Sequence, residues 1–403
     1  MSDLICFVMM VKNEARGIEK TLLSVKDHVD KIVILDTGST DDTVDIVHRV
    51  FAENAIDGKI VVEKFVDYST TRNRALALAD ECGYIFTLMF SGDEYLENGA
   101  ELRAFLETKR DSKSPFDEAF HTNVSLGCIY PSTRITRCQS GWKYSGVTHE
   151  YISKPNHPLP VHMTPGLIVH EWHQQTDEEN NRKWRRDEKL LLRELKKHPD
   201  DVRTVFYLAQ TYRCLGDFVR AKRYYSKRVE MGGYVEEIYD SLFNIADITG
   251  LDEDYLKVYA HSPHRAEPLV KLAERWVDTP QVSYLYASHA CELPLLQPGK
   301  YLFMDEEAYS FRRWELLGRS AWYVGQYYKG VHALNQALKA RPGMPHLLEN
   351  LEWYASKVPL VVGQVPEFPG LKNHPYSPGD ATLNTLSPTL VHTEAPKTPA
   401  KPG

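Results

Sequence analysis

The chain has 403 residues, of which 42% are hydrophobic and 26% are charged, with a formal net charge of −7 at pH 7. This length predicts two or more domains, and the acidic balance argues against generic nucleic-acid binding without excluding a local basic patch. The sequence contains no apolar run long enough for a spanning helix, a strand is predicted at its N-terminus, and its six cysteines form no CxxC pair. We therefore expect a reduced protein of the cytoplasm with no membrane span.

Residues 1 to about 105 alternate between predicted strands and predicted helices. The strands are predicted at Leu4–Met10, Lys31–Leu35, Lys59–Phe65 and Tyr84–Phe90, and the helices at Arg16–His28, Thr43–Phe51 and Thr70–Glu81. This alternation predicts an α/β fold with a mostly parallel sheet that is covered by helices on both faces.

The pattern changes twice further along the chain. Shorter strand-like runs follow Phe116, at Ala119–Leu126, Thr133–Arg137 and Leu167–Val169, and helical periodicity dominates from about Asn181 to Ser356. From about Pro359 the sequence is rich in Pro, Ser and Thr, which is typical of disorder. We predict an α/β domain at 1–180, an all-α domain at 181–358 and a disordered tail at 359–403.

The helical region contains two degenerate repeats. Val205–Tyr212 is followed by a Leu-Gly-Asp turn and Ala221, and Leu317–Trp322 is followed by Gly325, Ala333 and Ala337. Both segments resemble tetratricopeptide helix pairs, which place small residues where helices touch. Stacked pairs of this kind offer extended surfaces, so we expect an acceptor platform with Tyr212 and Arg213 exposed on it.

Polar residues follow the first two predicted strands. Asn13 and Glu14 come after the first strand, and Asp36 ends the second, before a Gly-Ser-Thr-Asp turn that opens a helix. Ligands of open α/β sheets collect at the carboxyl ends of strands, so Asp36 is a candidate acceptor of hydrogen bonds from a nucleobase or ribose. The alternative is a well-capped strand–helix unit without a ligand.

The fourth predicted strand ends in Ser91-Gly92-Asp93-Glu94. Asp93 is a hard oxygen ligand suited to a divalent cation, whereas Ser91 brings no charge and could contribute through water or a ribose hydroxyl. A tight turn is the alternative. Arg72 lies near the start of the third predicted helix, where it could bind a phosphate or a nucleobase. An exposed arginine on an amphipathic helix would give the same sequence pattern.

The last motifs combine aromatic, histidine and acidic residues. Trp142 and Tyr144 precede His149-Glu150, and a later strand ends at His170. Glu150 could act as a general base, and His149 could do the same near neutral pH. The alternatives are a His-Glu pair that only ends a strand at a sheet edge, and a histidine with a purely structural role; both would give the same sequence pattern. Lys183 lies in a basic cluster, Arg182–Arg186, that we expect to be mostly a solvated helix face.

Taken in order, these segments resemble the family-2 glycosyltransferases, which have the glycosyltransferase A-type fold. The strongest matches are VKNEARGIEKTL, VILDTGSTDDT, Arg72–Leu76 and the Val-Thr-His-Glu segment, and the motif at 91–93 departs by having Ser91 where the family has its first Asp. The resemblance implies Glu150 or His149 as the base, and Mn²⁺ or Mg²⁺ held by Asp93 and His170, with less weight on His173. It implies nucleotide-sugar contacts by Asn13, Glu14, Asp36, Arg72, Ser91, Gly92, Trp142 and Lys183.

The implied activity is inverting transfer of a sugar from a nucleotide-sugar donor, usually a UDP-sugar, to a protein, peptide or glycan acceptor. Two alternatives remain. A sugar-nucleotide pyrophosphorylase would need a Gly-rich basic loop after the first strand, of which Val11–Gly17 is a poor version. A non-catalytic repeat scaffold with a vestigial nucleotide-binding domain is the other, and Ser91 is the main argument for it. The sequence leaves open whether the chain forms a homo-oligomer.

Overall fold

The computed structural model describes residues 3–125, 129–157, 160, 162–170, 176–296 and 301–358. The predicted tail at 359–403, Cys128 and His173 lie outside the described residues. The chain divides into two compact units, Met1–Asp217 and Phe218–Gly403. The first unit therefore includes helices that follow residue 176, and the domain boundary near 180 stays a prediction.

The first unit is built on an eight-stranded mixed sheet with the order β3-β2-β1-β4-β7-β6-β10-β5. The strands of the unit are β1 (Ile5–Val11), β2 (Lys31–Asp36), β3 (Gly58–Val62), β4 (Phe86–Phe90), β5 (Glu94–Glu97), β6 (Ala119–Ser125), β7 (Ile129–Arg137), β8 (Lys143–Ser145), β9 (Tyr151–Ser153) and β10 (Met163–His170). Strands β1 to β4 pair in parallel, β7 joins them antiparallel to β4, and β8 and β9 form a separate hairpin ladder.

Helices fill the connections between these strands. They are α1 (Ile18–Val25), α2 (Thr43–Glu53), α3 (Tyr68–Asp80), α4 (Gly99–Thr108), α5 (Asp177–Lys197) and α6 (Val202–Cys214), with a 3₁₀ turn at Pro115–Asp117. Asp67 caps α3 by accepting a hydrogen bond from the Thr70 amide, and a Thr176–Glu179 capping box begins α5. The predicted helices in this region are confirmed, with ends that shift by a few residues.

Both faces of the sheet are buried, as predicted. Alternate residues of β1 enter two apolar clusters: Ile5, Phe7 and Met9 pack with α1, α2 and α4, while Cys6 and Val8 pack with α3. A strand with helices on both sides reads as a continuous apolar run because both sets of side chains are buried. Because the strand interiors are buried and apolar, the polar side chains that could bind a ligand are expected at the ends of the strands.

The second unit is helical. Its helices are α7 (Phe218–Met231), α8 (Val235–Thr249), α9 (Asp252–His261), α10 (Glu267–Arg275), α11 (Pro280–Glu292), α12 (Arg313–Ser320), α13 (Tyr327–Ala340) and α14 (Pro345–Ala355), with a π-helical turn at Ala308–Arg312 and a 3₁₀ turn at Ala321–Val324. The predicted order of an α/β region followed by a helical region is confirmed.

Small residues lie where the last helices of the second unit touch. A Cβ on Gly318 of α12 would come within 2.6 Å of Leu334 on α13, and one on Gly330 would come within 2.2 Å of Tyr354 on α14. This is the packing that the repeat pattern predicts. One expectation about the repeats is wrong: Tyr212 is 2% exposed, because its ring belongs to the core-facing side of α6, although Arg213 is exposed.

Two general expectations can be compared with the described part of the chain. No helix in it is long and apolar enough to cross a membrane. Its cysteines, Cys6, Cys82, Cys138, Cys214 and Cys291, are all free thiols.

Candidate functional site

The polar loops that follow β1 and β2 are joined by hydrogen bonds. Asn13, at φ 59°, donates its backbone N–H to Ser39 Oγ at 2.9 Å and accepts the Thr40 amide on Oδ1 at 2.8 Å. The Glu14 amide donates to Thr43 Oγ1 at 2.8 Å. The Ser/Thr-rich turn thus holds the loop after β1 in place. Adjacent parallel strands bring these segments together, as the sequence analysis expects.

Asp36 closes its own turn. Its buried carboxylate accepts hydrogen bonds from the amides of Gly38 at 2.9 Å and Ser39 at 3.0 Å, and from Ser39 Oγ at 2.5 Å. Gly38, at φ 97°, supplies the left-handed conformation that this turn needs. Much of the acceptor capacity of Asp36 is therefore engaged within the loop, and a nucleotide contact by Asp36 stays a prediction.

The loops after β1 and β4 meet at the point where the strand order reverses. The chain proceeds from β1 to β2 and β3 on one side, and β4 then pairs with the other side of β1. Glu14 packs over Gly92 so closely that a Cβ on Gly92 would lie 2.4 Å from Glu14 Cγ. Burial, with smaller contributions from the negative charges of Asp93 and Asp41, raises the pKa of Glu14 to about 7. Open α/β sheets bind their ligands in this crevice.

A buried ion pair holds the loop that contains Ser91 and Asp93. Glu94 is 1% exposed and accepts hydrogen bonds from the Ser91 amide at 2.7 Å and from Arg134 Nη2 at 2.6 Å. Arg134 lies on β7, and no motif in the sequence singles it out. It neutralises Glu94, so the one acidic side chain of the loop that remains partly exposed is Asp93.

Asp93 and His170 face each other across the loop. His170 ends β10, whose antiparallel pairing with β5 places it opposite Glu94, and its Nε2 lies 3.0 Å from Asp93 Oδ2. The hydrogen bond to Asp93 raises the pKa of His170, against a smaller opposing effect of burial. His170 Nδ1 is buried without a hydrogen-bond partner among the described residues. The sequence-based pairing of these two residues is thus present in the fold.

The chemistry of this pair fits a divalent cation that shares its ligands with a substrate. A carboxylate oxygen and an imidazole nitrogen are both ligands that Mn²⁺ accepts. Within the described ranges, no group of three or more His, Cys, Asp or Glu side chains is arranged to hold a metal ion. Phosphate oxygens and water would have to complete the coordination, as is common for Mg²⁺.

Arg72 occupies the centre of the site. Its side chain is 11% exposed, with Nε 2.5 Å from Glu150 Oε1 and Nη2 3.1 Å from Ser91 Oγ. The Tyr144 ring lies beneath the guanidinium, 5.5 Å from its carbon. Nη1 is buried and has no hydrogen-bond partner among the described residues. A buried donor without a partner costs about 1–3 kcal/mol, so this N–H favours an added acceptor such as a phosphate oxygen.

The neighbours of Arg72 explain how it is positioned. Asn73 binds the backbone of Tyr144 on both sides, donating from Nδ2 to its carbonyl at 2.8 Å and accepting its amide on Oδ1 at 2.7 Å. This pair attaches α3 to β8 and sets the aromatic ring under Arg72. Trp142 is buried edge-on against His157, with 5.0 Å between ring centroids, and its contact with a nucleotide sugar stays a prediction.

Helix α6 holds the loop that contains His149 and Glu150. The His149 ring stacks on Tyr207 with centroids 4.1 Å apart, and Arg203 Nη2 donates to the His149 carbonyl at 2.9 Å. His149 has a φ of 50°, which a non-glycine residue rarely adopts. The contacts with Tyr207 and Arg203 help to hold the loop in this conformation. Burial against Tyr207, followed by the charges of Lys183 and Arg203, lowers the pKa of His149 to about 4. Sequence reasoning missed Tyr207 and Arg203 as parts of the site.

The comparison with known proteins agrees with this geometry. Residues 6–90 match the model of the family described as Glycosyl transferase family 2. Residues 6–90 are a family-2 glycosyltransferase domain. This segment contains the loops after β1 and β2 and the whole of α3, and it ends one residue before Ser91. The family prediction is therefore confirmed for the part of the chain that contains Glu14, Asp36 and Arg72.

Relatives and solved structures cover more of the chain. The glycosyltransferase SunS encoded by the SPbeta prophage of Bacillus subtilis strain 168 is 28% identical over 229 residues, which is 55% of this chain and 52% of SunS. The chain thus spans about half the length of this curated relative. Staphylococcus aureus TarS 1–349, solved with UDP-GlcNAc, is 12% identical with a TM-score of 0.34, and covers 75% of this chain and 100% of TarS 1–349. The tetratricopeptide protein YrrB is 11% identical with a TM-score of 0.30, covering 42% of this chain and 84% of YrrB.

The arrangement offers the chemical groups that a glycosyltransferase domain requires. Arg72 presents a buried positive charge, Asp93 and His170 form a cation-compatible pair, and Glu150 provides a carboxylate beside them. His149 is kept neutral at physiological pH by its lowered pKa. The basic side chain of Lys183 is close enough to His149 to affect its pKa, and its predicted contact with a diphosphate stays a prediction.

Proposed function

We propose that the chain is an inverting glycosyltransferase that transfers a sugar from a nucleotide diphosphate donor, in the first instance a UDP-sugar, to a protein, peptide or glycan acceptor. The observation that carries the proposal is the buried Arg72 of a family-2 glycosyltransferase domain, with an unpartnered N–H beside Ser91. A diphosphate would supply acceptor oxygens for Nη1, and its negative charge would compete with that of Glu150 for the guanidinium.

Donor binding would rearrange the ion pair between Arg72 and Glu150. In the structure the Glu150 carboxylate is held 2.5 Å from Arg72 Nε. Diphosphate oxygens carry more negative charge than one carboxylate, so a bound donor would compete for the guanidinium and leave Glu150 available to the acceptor. Under this proposal Glu150 becomes a base only when the donor is present, which would limit wasteful reaction.

Glu150 would then take the proton of the acceptor nucleophile. The nucleophile forms a bond to the anomeric carbon as the bond from that carbon to the diphosphate oxygen breaks, and the nucleoside diphosphate leaves with the electron pair. Arg72 would stabilise the charge that develops on the leaving group. Attack opposite the leaving group inverts the anomeric configuration.

Asp93 and His170 are the residues that would hold Mn²⁺ or Mg²⁺. The cation would neutralise charge on the diphosphate when both are bound. Because Ser91 adds no charge, metal affinity without donor should be low, and the donor should complete the site. Ser91→Asp should then tighten Mn²⁺ binding without abolishing turnover. Persistent activity after both chelation and Asp93→Ala would overturn this part of the proposal.

A panel of nucleotide sugars tests the donor class. Melting temperature is measured with UDP-glucose, UDP-galactose, UDP-GlcNAc and GDP-mannose, each with and without Mn²⁺, because a ligand of the native state raises stability by mass action. We expect a UDP-sugar with Mn²⁺ to give the largest shift, and slow release of UDP without an acceptor. The matched control is Arg74→Ala, which alters an exposed arginine on the same helix.

The outcomes separate the alternatives. Loss of the shift in Arg72→Ala but not in Arg74→Ala supports the proposal. Formation of pyrophosphate with a sugar 1-phosphate would indicate a pyrophosphorylase. Tight nucleotide-sugar binding with no hydrolysis and no transfer would favour the non-catalytic scaffold. Product anomeric configuration, read by NMR from a donor of known configuration, tests inversion directly.

A further inference from the structure

A basic groove lies on the first unit between α5 and the segment that leads into α3. It encloses about 550 Å³, and Phe65, Val66 and Leu190 form its apolar floor. Its polar wall consists of five cations from α5: Arg182, Arg185, Arg186, Lys189 and Arg193. We call this surface the basic groove.

The five cations form one stripe along α5. Their spacing of three to four residues puts them on the same side of the helix, and all five are exposed. No Asp or Glu is among the described residues that line the groove. Arg185 pairs with Glu188 at 3.0 Å and Arg186 with Asp187 at 3.7 Å on the same helix. Arg182, Lys189 and Arg193 are then the local positive excess in a chain whose formal net charge is −7. Such an excess attracts an anionic partner by a short-range electrostatic field.

The floor of the groove adds an apolar component. Val66 is 60% exposed, which is unusual for a valine beside a helix with so many charged side chains. The Arg186 guanidinium lies over the rings of Phe65 and Tyr68, with distances of 5.8 and 5.2 Å to the centroids. A ligand that covers this floor would need apolar groups as well as negative charge.

The groove is linked through Tyr68 to the loop that contains Glu150. Arg186 donates a hydrogen bond to the Tyr68 hydroxyl, and the Tyr68 amide donates to the Val147 carbonyl at 3.2 Å. Val147 is three residues before Glu150 in the same loop. The groove and the loop of the proposed base are therefore connected through one side chain, which makes the groove a candidate acceptor surface of the same site.

We propose that the basic groove binds an extended acidic peptide segment of the acceptor, in which Asp or Glu alternates with apolar residues. This inference rests on the proposed function, since it assigns the acceptor class of the same site. Residues 182 to 193 of α5 span about 16 Å at 1.5 Å per residue, which matches about five extended residues. Side chains that alternate along an extended peptide can face the cationic wall and the apolar floor in turn.

Charge and shape favour a peptide over other anions. A nucleic acid or another long polyanion would run beyond the short groove onto a chain with excess negative charge. An anionic membrane surface is flat on this scale, and a groove with its apolar residues at the floor cannot bring them to such a surface. Both remain as outcomes of the test.

The test measures binding of a fluorescein-labelled hexapeptide of alternating Glu and Leu by anisotropy. The variant is Lys189→Glu/Arg193→Glu, because neither residue has an ion pair with another described residue and neither is among the proposed donor-site residues. The matched control is Lys59→Glu/Lys113→Glu, which changes the charge equally at exposed positions of the same unit. We expect peptide affinity to fall about tenfold in the groove variant and little in the control, and to weaken with salt.

Two further measurements keep the inference distinct from the proposed function. UDP-sugar binding and hydrolysis should be the same in the groove variant as in the unmodified chain. Absence of both from the unmodified chain, with peptide binding present, would overturn the proposed function and not the groove. Absence of peptide binding, or equal weakening in groove and control variants, would overturn the inference. Tighter binding of a single-stranded oligonucleotide or of phosphatidylserine vesicles, lost in the groove variant, would also overturn it.

Discussion

Buried arginines occur in both units, but their surroundings differ. In the second unit Arg265 is 0% exposed, and it pairs with Glu267 at 2.6 Å and Glu236 at 3.0 Å, with the Tyr239 ring 3.8 Å from its guanidinium carbon. In the first unit Arg72 has one carboxylate partner, Glu150, and one nitrogen, Nη1, whose N–H groups have no acceptor in the described chain. Arg265 is paired with two carboxylates, whereas Arg72 is paired with one and still has donor groups without an acceptor.

The comparison separates a structural arginine from one that awaits a ligand. Arg265 fixes the positions of two helices, and removing it would leave two carboxylates buried. Arg72 lies near the start of α3 and contacts Ser91, which follows β4, so its missing acceptor can come from a ligand at this strand end. A lone unpartnered N–H is insufficient evidence by itself, since Arg228 Nη2 also has none within the described residues. Location at the crevice of a family-2 domain is what distinguishes Arg72.

The largest effect is expected from Arg265→Leu. It leaves Glu267 and Glu236 without their cation, and breaking a buried pair costs about 3–5 kcal/mol of unfolding free energy. Chemical denaturation measures the loss. The control is Arg275→Leu, because Arg275 pairs with Asp252 at an exposed position and should cost about 1 kcal/mol or less. Equal losses in the two variants would show that Arg265 is not the structural element described here.

Glu150→Gln should lower turnover at least about a hundredfold, because removal of a general base usually costs 10²–10⁴-fold. Donor binding should be retained or tighter, because the neutral side chain competes less with the diphosphate for Arg72. Turnover with saturating donor and titration calorimetry separate the two effects. His149→Ala should reduce turnover less, because the lowered pKa of His149, about 4, makes its ring a weak base. Near-normal turnover in Glu150→Gln would assign the role to another group.

Arg72→Ala should weaken binding of UDP by about 1.5–3 kcal/mol, the range for a hydrogen bond to a charged group. Its effect on unfolding should be much smaller than that of Arg265→Leu, because Arg72 is incompletely satisfied in the folded chain. Calorimetry and denaturation are measured on the same samples. Arg74→Ala should retain UDP affinity. If Arg72→Ala destabilises the chain as much as Arg265→Leu does, the distinction between the two arginines fails.

Tyr207→Ala should have the smallest effect, which concerns the pKa of His149. Its folded pKa of about 4 lies below the ordinary value of 6.5, so the unfolded chain binds more protons between these pH values. Stability from this residue is therefore lost as pH falls from 6.5 through 4. Without the Tyr207 ring the pKa should rise toward 6.5, and NMR titration of the imidazole measures it. Arg213→Ala, on the same helix, should leave it unchanged.

Patterns within single segments were enough to predict most of the fold. Strands buried on both faces and capped helices have local signatures, and the sites after β1, β2 and β4 follow from where those strands end. Asp93 and His170 could be proposed as a pair only through the family resemblance, because the antiparallel register of β10 on β5 brings them together. The register between two strands that are distant in the sequence cannot be predicted from the sequence of either strand alone.

The remaining site residues needed tertiary information. Arg134 reaches Glu94 from a strand 40 residues away, and a single arginine in a strand carries no pattern. Tyr207 and Arg203 belong to a segment whose periodicity predicts only a helix, so nothing indicated that this helix also holds the His149 loop. Asp36 shows the opposite case: its position suggested a ligand contact, while its carboxylate closes a turn.

The close packing of Glu14 on Gly92 has a consequence for how these two positions can change during evolution. A Cβ at position 92 would lie 2.4 Å from Glu14 Cγ, so the Glu14 side chain would have to shift to make room for it. Homologues with Ala or a larger residue at the middle of the motif should therefore have a shorter residue where this chain has Glu14. An alignment of relatives should show the two columns changing together.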